Sequence, residues 1–156
     1  MSKIALLTHN NSNGGAALAV SRLAKGLTLT SQYRQEFNFT LLAAVIKDKD
    51  FYVTKKQIGG GIDRVNSIFP ESLYKAIAKT WSYIHKTEKN PRIFCMQGLR
   101  DIRADLKEFD VVNMFWMQTL ADLSKLAKIR KPKVITLHDM WFLTGGCSYS
   151  FGCDKY

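Results

Sequence analysis

The chain has 156 residues, with 23 Lys+Arg against 13 Asp+Glu for a formal charge of +10, and 46% of its residues are hydrophobic. That is the size of one domain with enough apolar surface for a core, which excludes global disorder. Three cysteines are too few, and odd in number, for a disulfide scaffold.

Lys3 to His9 (KIALLTH) reads as a short, nearly continuous apolar strand, the kind buried on both faces in helix-covered parallel sheets. The apolar run that follows Lys3, Ile4 to Leu7, is too short for a secretory leader. Asn10 to Gly15 is a run of turn formers. After it Ala16, Ala19, Val20, Leu23 and Leu27 recur at helical spacing, with Arg22 and Lys25 opposite. Strand, glycine-bearing loop and amphipathic helix make the first half of a βαβ unit.

Phe39 to Ile46 (FTLLAAVI) is the next buried strand, closed by Lys47-Asp48-Lys49-Asp50. The ten uncharged residues from Phe37 to Ile46 fall well short of the ~20 that span a bilayer. Residues 51–69 give no clear element, and Gly59-Gly60-Gly61 marks a loop. Pro70-Glu71 opens a helix with Leu73, Ile77, Trp81 and Ile84 in one stripe and Lys75, Lys79, Ser82 and Lys86 nearly opposite. Such a basic amphipathic helix packs on the sheet or lies on a membrane surface. Asp110 to Trp116 (DVVNMFW) is a third strand, followed by a helix from Gln118 to Lys128 with Leu120, Leu123 and Ala127 inward. Pro132 ends the basic connection, and Lys133 to His138 (KVITLH) is a fourth strand.

Strands alternating with helices predict an α/β fold, a parallel sheet with helices on both faces. Ligands bind such sheets beyond the carboxyl ends of the strands. That rule marks the loop after Thr8-His9, the Asn113 to Trp116 end, and His138-Asp139-Met140-Trp141. Gly14-Gly15 lies where a helix begins, so its backbone is either a phosphate cradle or a tight turn with Asn13 as the helix cap. Neither a dinucleotide-binding fingerprint nor a P-loop is present. His138 is suited to exchange a hydrogen bond with a substrate hydroxyl, and Asp139 either orients that imidazole or caps the next segment. Cys147 and Cys153 are two soft ligands, short of the four that structural zinc needs. Between Asp122 and Asp139 there is no acid, while Lys125, Lys128, Arg130, Lys131 and Lys133 crowd the interval. The charge is a solvated face, or it attracts an anionic membrane or a phosphorylated substrate. Nucleic acid is not expected, since no nucleic-acid module accompanies it.

Two stretches together carry a resemblance. Asn11-Ser12-Asn13-Gly14-Gly15-Ala16-Ala17 with Arg22-Leu23 resembles the opening of bacterial family 4 glycosyltransferases. Asp110 to Trp116, then Val134-Ile135-Thr136-Leu137-His138-Asp139-Met140-Trp141, then Thr144-Gly145-Gly146-Cys147-Ser148-Tyr149, resembles the colanic-acid and exopolysaccharide subgroup. The resemblance implies a GT-B architecture of two Rossmann-like lobes with the active site between them. The chain is then the N-terminal, acceptor-side lobe over residues 1–156, truncated, with the C-terminal donor lobe and its E-x7-E region missing.

Carried over by position, Gly14 and Gly15 lie near the donor diphosphate and His138 is the catalytic-site imidazole beside the transferred sugar. Asn113, Trp116, Asp139 and Trp141 line the acceptor side and the cleft. The partners implied are a nucleotide-sugar and a saccharide or lipid-linked acceptor, with peripheral contact to an anionic membrane. The implied transfer retains anomeric configuration and needs no metal ion or other cofactor. The expected location is the cytoplasm, with reduced thiols. The lobe by itself is expected to be inactive; a non-catalytic basic domain that binds an anionic ligand or a membrane surface is the alternative.

Overall fold

The computed structural model describes residues 1–12, 14–47, 54–58, 76, 80, 100–117, 120–144 and 148–149. Five strands lie parallel in one sheet: β1 (Ser2–Asn10), β2 (Phe37–Val45), β3 (Thr54–Gln57), β4 (Val111–Met114) and β5 (Lys133–Ile135). The order across the sheet is β3-β2-β1-β4-β5. The helices are α1 (Gly15–Leu29), α2 (Ser31–Glu36), α3 (Leu123–Ala127) and α4 (Trp141–Thr144). This is the Rossmann-like α/β architecture that the alternating pattern predicts. Among the described residues no helix is long and apolar enough to cross a membrane.

The central strands form where the sequence is most continuously apolar. Ala5, Leu6 and Leu7 of β1, and Leu41, Leu42 and Ala43 of β2, are all at most 1% exposed, so both faces of the sheet are covered there. Side chains alternate between faces, and the register pairs Leu6 with Leu41 and with Asn113, and Asn113 with Val134. One face therefore carries Ile4, Leu6, Phe39, Leu41 and Phe115, packed against Val20 and Ala24 of α1. The other carries Ala5, Leu7, Leu42, Val112 and Met114, packed against Ile102, Leu106, Phe109, Leu126 and Trp141. The step from β1 to β2 and the step from β4 to β5 run in opposite directions across the sheet. Right-handed crossovers then require α1 and α3 to lie on opposite faces, which is where they are.

Several expected boundaries and faces are corrected. The buried stripe of α1 is Ala17, Val20 and Ala24, while Leu23 is 40% exposed. The helix is turned so that small side chains meet the sheet, and the large residues Leu6, Leu41 and Phe115 fill the layer between. The helix expected from Gln118 begins only at Leu123. There Asp122 caps it, its carboxylate accepting from the amides of Ser124 (2.9 Å) and Lys125 (3.4 Å). Its inward residue is Leu126, with Leu120 and Ala121 buried before it, whereas Ala127 is exposed. β3 arises in the stretch that gave no element: its TKKQ is polar, and it is an edge strand recruited by pairing with β2. Residues 102–109, also unread, form successive i−3 turns that bury Ile102, Leu106 and Phe109. Of the helix expected after Pro70, only Ala76 and Thr80 are described; both are helical and exposed. The rest of it, His85 included, lies outside the described residues.

The acid-free basic interval is mostly committed to the fold. The Lys131 ammonium donates to the carbonyls of Leu106 (2.9 Å), Lys107 (2.6 Å) and Phe109, tying the 102–109 turns to the approach to β5. Lys133 donates to the carbonyls of Ala127 and Ile129, closing the end of α3, and Lys125 pairs with Asp122 at 3.7 Å. Carbonyls at a helix or turn end lack partners within the turn, and a cation there is favoured. Two of the five crowded charges, Lys131 and Lys133, are thus carbonyl caps.

Candidate functional site at the carboxyl edge of the sheet

From β1 the chain proceeds to β2 on one side, while β4 lies on its other side. The strand order reverses between β1 and β4, and the region beyond the carboxyl ends at such a reversal is where open parallel sheets bind ligands. The loop after β1 is held in place from three directions. Asn11 is 1% exposed; its Oδ1 accepts from the Lys47 amide (2.9 Å) and its carbonyl accepts from Ser21 Oγ of α1 (2.8 Å). Thr8, fully buried, donates its hydroxyl to the Asn10 carbonyl (3.1 Å), and Asn10 Oδ1 accepts from the Ser12 amide (3.3 Å). Ser12 Oγ is buried without a hydrogen-bond partner.

Gly14 occupies the cap position of α1 with φ 88° and ψ 163°, a conformation essentially confined to glycine. Asn13, the residue expected to cap, lies outside the described residues. Leu18 makes the first helical bond, to the Gly14 carbonyl (3.1 Å), so the amides of Gly15, Ala16 and Ala17 have no partner within the helix. A Cβ placed on Gly14 or Gly15 meets nothing within 4 Å among the described residues, so there is open space beside this turn. No acid stands in the first turn of α1. The local field favours an anion.

The other expected residues divide between the two faces of the sheet. On the α1 face, His138 stacks on Phe115, with centroids 5.9 Å apart and planes 26° apart. Asn113 is beside them, its Oδ1 accepting from Thr136 Oγ1 (3.1 Å). On the opposite face, Trp116 meets His9 edge to face, with centroids 5.7 Å apart, and its carbonyl accepts from the His9 amide (2.9 Å). Asp139 takes the capping role: its Oδ1 accepts from the Trp141 amide (3.0 Å) at the start of α4. Trp141 is 2% exposed and belongs to the core, edge-on to Phe142. Cys147 and Cys153 lie outside the described residues, and among the described residues no three His, Cys, Asp or Glu side chains form a metal-binding group.

His9 is a residue of the candidate site that the sequence marks only by its place at the end of the first strand. The missing signal was strand parity: only the register shows that His9 and Trp116 share a face. Burial pushes the His9 imidazole below its ordinary value of 6.5, so the folded protein holds it neutral. Because the folded pKa is the lower one, the unfolded chain binds more protons below pH 6.5. This contribution to stability is complete above that pH and is lost as pH falls from there through the lowered folded value. His9→Gln should therefore flatten the pH profile below pH 6.5 in urea unfolding. Parallel profiles for the two proteins would contradict the assignment.

Compared with protein-family models, curated proteins and solved structures, the chain matches none.

Proposed function

We propose that this chain is the acceptor-side lobe of a retaining, nucleotide-sugar-dependent glycosyltransferase of polysaccharide or lipid-linked saccharide assembly. The observation that carries the reading is the open glycine turn at the α1 N-terminus on the same face as Asn113 and His138, at the point where strand order reverses. The resemblance in the Asn11–Ala17 and Val134–Tyr149 segments supplies the reaction class.

In this reading the amides at Gly15 and beyond receive the donor's diphosphate, and the unpartnered Ser12 hydroxyl is satisfied by the same group. Phe115 sets the plane of the His138 ring, which hydrogen-bonds a hydroxyl of the transferred sugar. Asn113 is held by Thr136 with its amide nitrogen left for a second hydroxyl. On the other wall the His9–Trp116 pair offers an aromatic face to the acceptor ring. The nucleotide diphosphate leaves from the face the acceptor attacks, and the protein's part is electrostatic: fixed dipoles at the phosphates where charge develops. A second, donor-binding lobe completes the site.

The test is an amide-resolved NMR titration with UDP-glucose, GDP-mannose and a neutral oligosaccharide. Expected are nucleotide-sugar shifts centred on Ser12, Gly14, Gly15 and His138, and saccharide shifts centred on His9 and Trp116, with no sugar transfer by this lobe alone. Absence of any perturbation at the carboxyl edge would overturn the reading.

A further inference from the structure

At the opposite, amino-terminal end of the sheet the fold leaves a cavity of about 280 Å³, lined by Met1, Thr28, Arg34, Phe37, Asn38, Phe39 and Thr54. It lies where the chain turns back. α1 ends at Leu29, α2 begins at Ser31, and Phe37 is both the last cap of α2 and the first residue of β2. Apart from Met1, the lining residues come from the last turn of α1, from α2 and from the amino-terminal ends of β2 and β3. The size suits one small molecule, just under the ~300 Å³ at which ordinary ligand sites begin.

The lining is chemically specific. Among the described residues Arg34 is the one charged side chain in the lining, no carboxylate lines the cavity, and Arg34 makes no ion pair or side-chain hydrogen bond. The Asn38 amide is likewise without a side-chain bond. Thr28 donates its hydroxyl to the Ala24 carbonyl (2.8 Å) and retains its acceptor capacity toward the cavity. Phe37 and Phe39 supply apolar area, their rings 6.0 Å apart and tilted by 49°. A guanidinium presents a planar fork of donors matched to carboxylate and phosphate oxygens. A free fork and a free amide beside two phenyl rings fit an oxyanion that carries a compact apolar body.

We propose that this cavity is a second binding site, for a small amphipathic oxyanion whose head pairs with Arg34 and Asn38 and whose body lies on Phe37 and Phe39. The site is independent of the carboxyl edge and stands whether or not the glycosyltransferase reading does. Two sources share the chemistry: a soluble phosphomonoester or carboxylate, and the headgroup of an anionic lipid. The exposed side chains of Met1, Leu29 and Tyr33 on the surrounding elements make the second source concrete.

Phenyl phosphate is the soluble probe, with benzyl alcohol as its uncharged counterpart, followed by amide NMR. Phosphatidylglycerol vesicles in a phosphatidylcholine background are the other arm, followed by co-sedimentation. Phenyl phosphate is expected to shift Thr28, Arg34, Asn38 and Thr54, and Arg34→Gln to weaken it at least about tenfold, the scale of one charge-assisted hydrogen bond. Arg34 is exposed, so the variant should fold, and an amide spectrum unchanged away from the cavity verifies it. Vesicle retention lost in Arg34→Gln identifies the lipid source; binding of phenyl phosphate without vesicle retention identifies the soluble one. Equal affinity of wild type and Arg34→Gln, equal binding of benzyl alcohol, or no shift at these four residues would overturn the proposal.

Discussion

Replacing Phe115 by alanine is expected to cost about 3–5 kcal/mol of folding stability. Phe115 is 2% exposed and closes the cluster formed by Leu6, Leu41, Val20 and Ala24 between the sheet and α1. The cavity left behind is bounded by a helix that cannot sink further, because Ala17 and Ala24 already bring it close. The same ring is the surface on which His138 stacks, so the substitution reaches the candidate site as well. Phe115→Leu separates the two effects: most of the core volume remains and the flat face is gone. Urea unfolding checks the first, as a lowered midpoint with unchanged slope. Broadened or shifted His138 ring resonances in both variants check the second. A loss under about 1 kcal/mol in the alanine variant would mean that this layer collapses far more easily than its packing indicates.

Trp141→Ala is expected to be as costly, about 3–5 kcal/mol, for a different reason. Its indole is buried in the cluster on the far face with Ile102, Leu106, Phe109 and Met117, and lies edge-on to Phe142 at 5.1 Å. If it is a packing residue, Trp141→Ala should lower the unfolding midpoint and leave nucleotide-sugar and saccharide affinities unchanged at temperatures well below the transition. Trp141→Phe should recover most of the stability. Lost affinity at full stability would return Trp141 to the cleft.

What the sequence made legible follows from where local pattern and tertiary packing agree. β1 and β2 announced themselves because each is an apolar run buried on both faces. The existence of α1 was equally plain, but its orientation was not. Hydrophobicity favours Leu23 as inward, whereas close approach to a sheet armed with Leu6, Leu41 and Phe115 selects Ala17 and Ala24. β3 was invisible because an edge strand of polar residues takes its conformation from its neighbour. The 102–109 turns did leave a trace, apolar residues at i, i+4 and i+7, that went unread.

The carboxyl-end rule marks a candidate region from strand direction alone. It could not divide the residues between faces. That depends on register, which pairs Leu6 with Asn113 and so sets His138 apart from Trp116. Nor could composition distinguish a free basic patch from lysines that cap carbonyls; Lys131 and Lys133 look alike in both cases until Leu106, Lys107 and Ile129 are brought to them.

The strands are of very unequal length: nine residues each in β1 and β2, four in β4 and three in β5. Opening of a sheet starts where the ladder is shortest and least covered, and Val134 and Ile135 of β5 are each about half exposed. The glycine turn springs from the most durable strand, while the imidazole of His138 hangs beyond the frailest. Local opening of β5 therefore displaces the imidazole while the glycine turn stays anchored to the longest ladder.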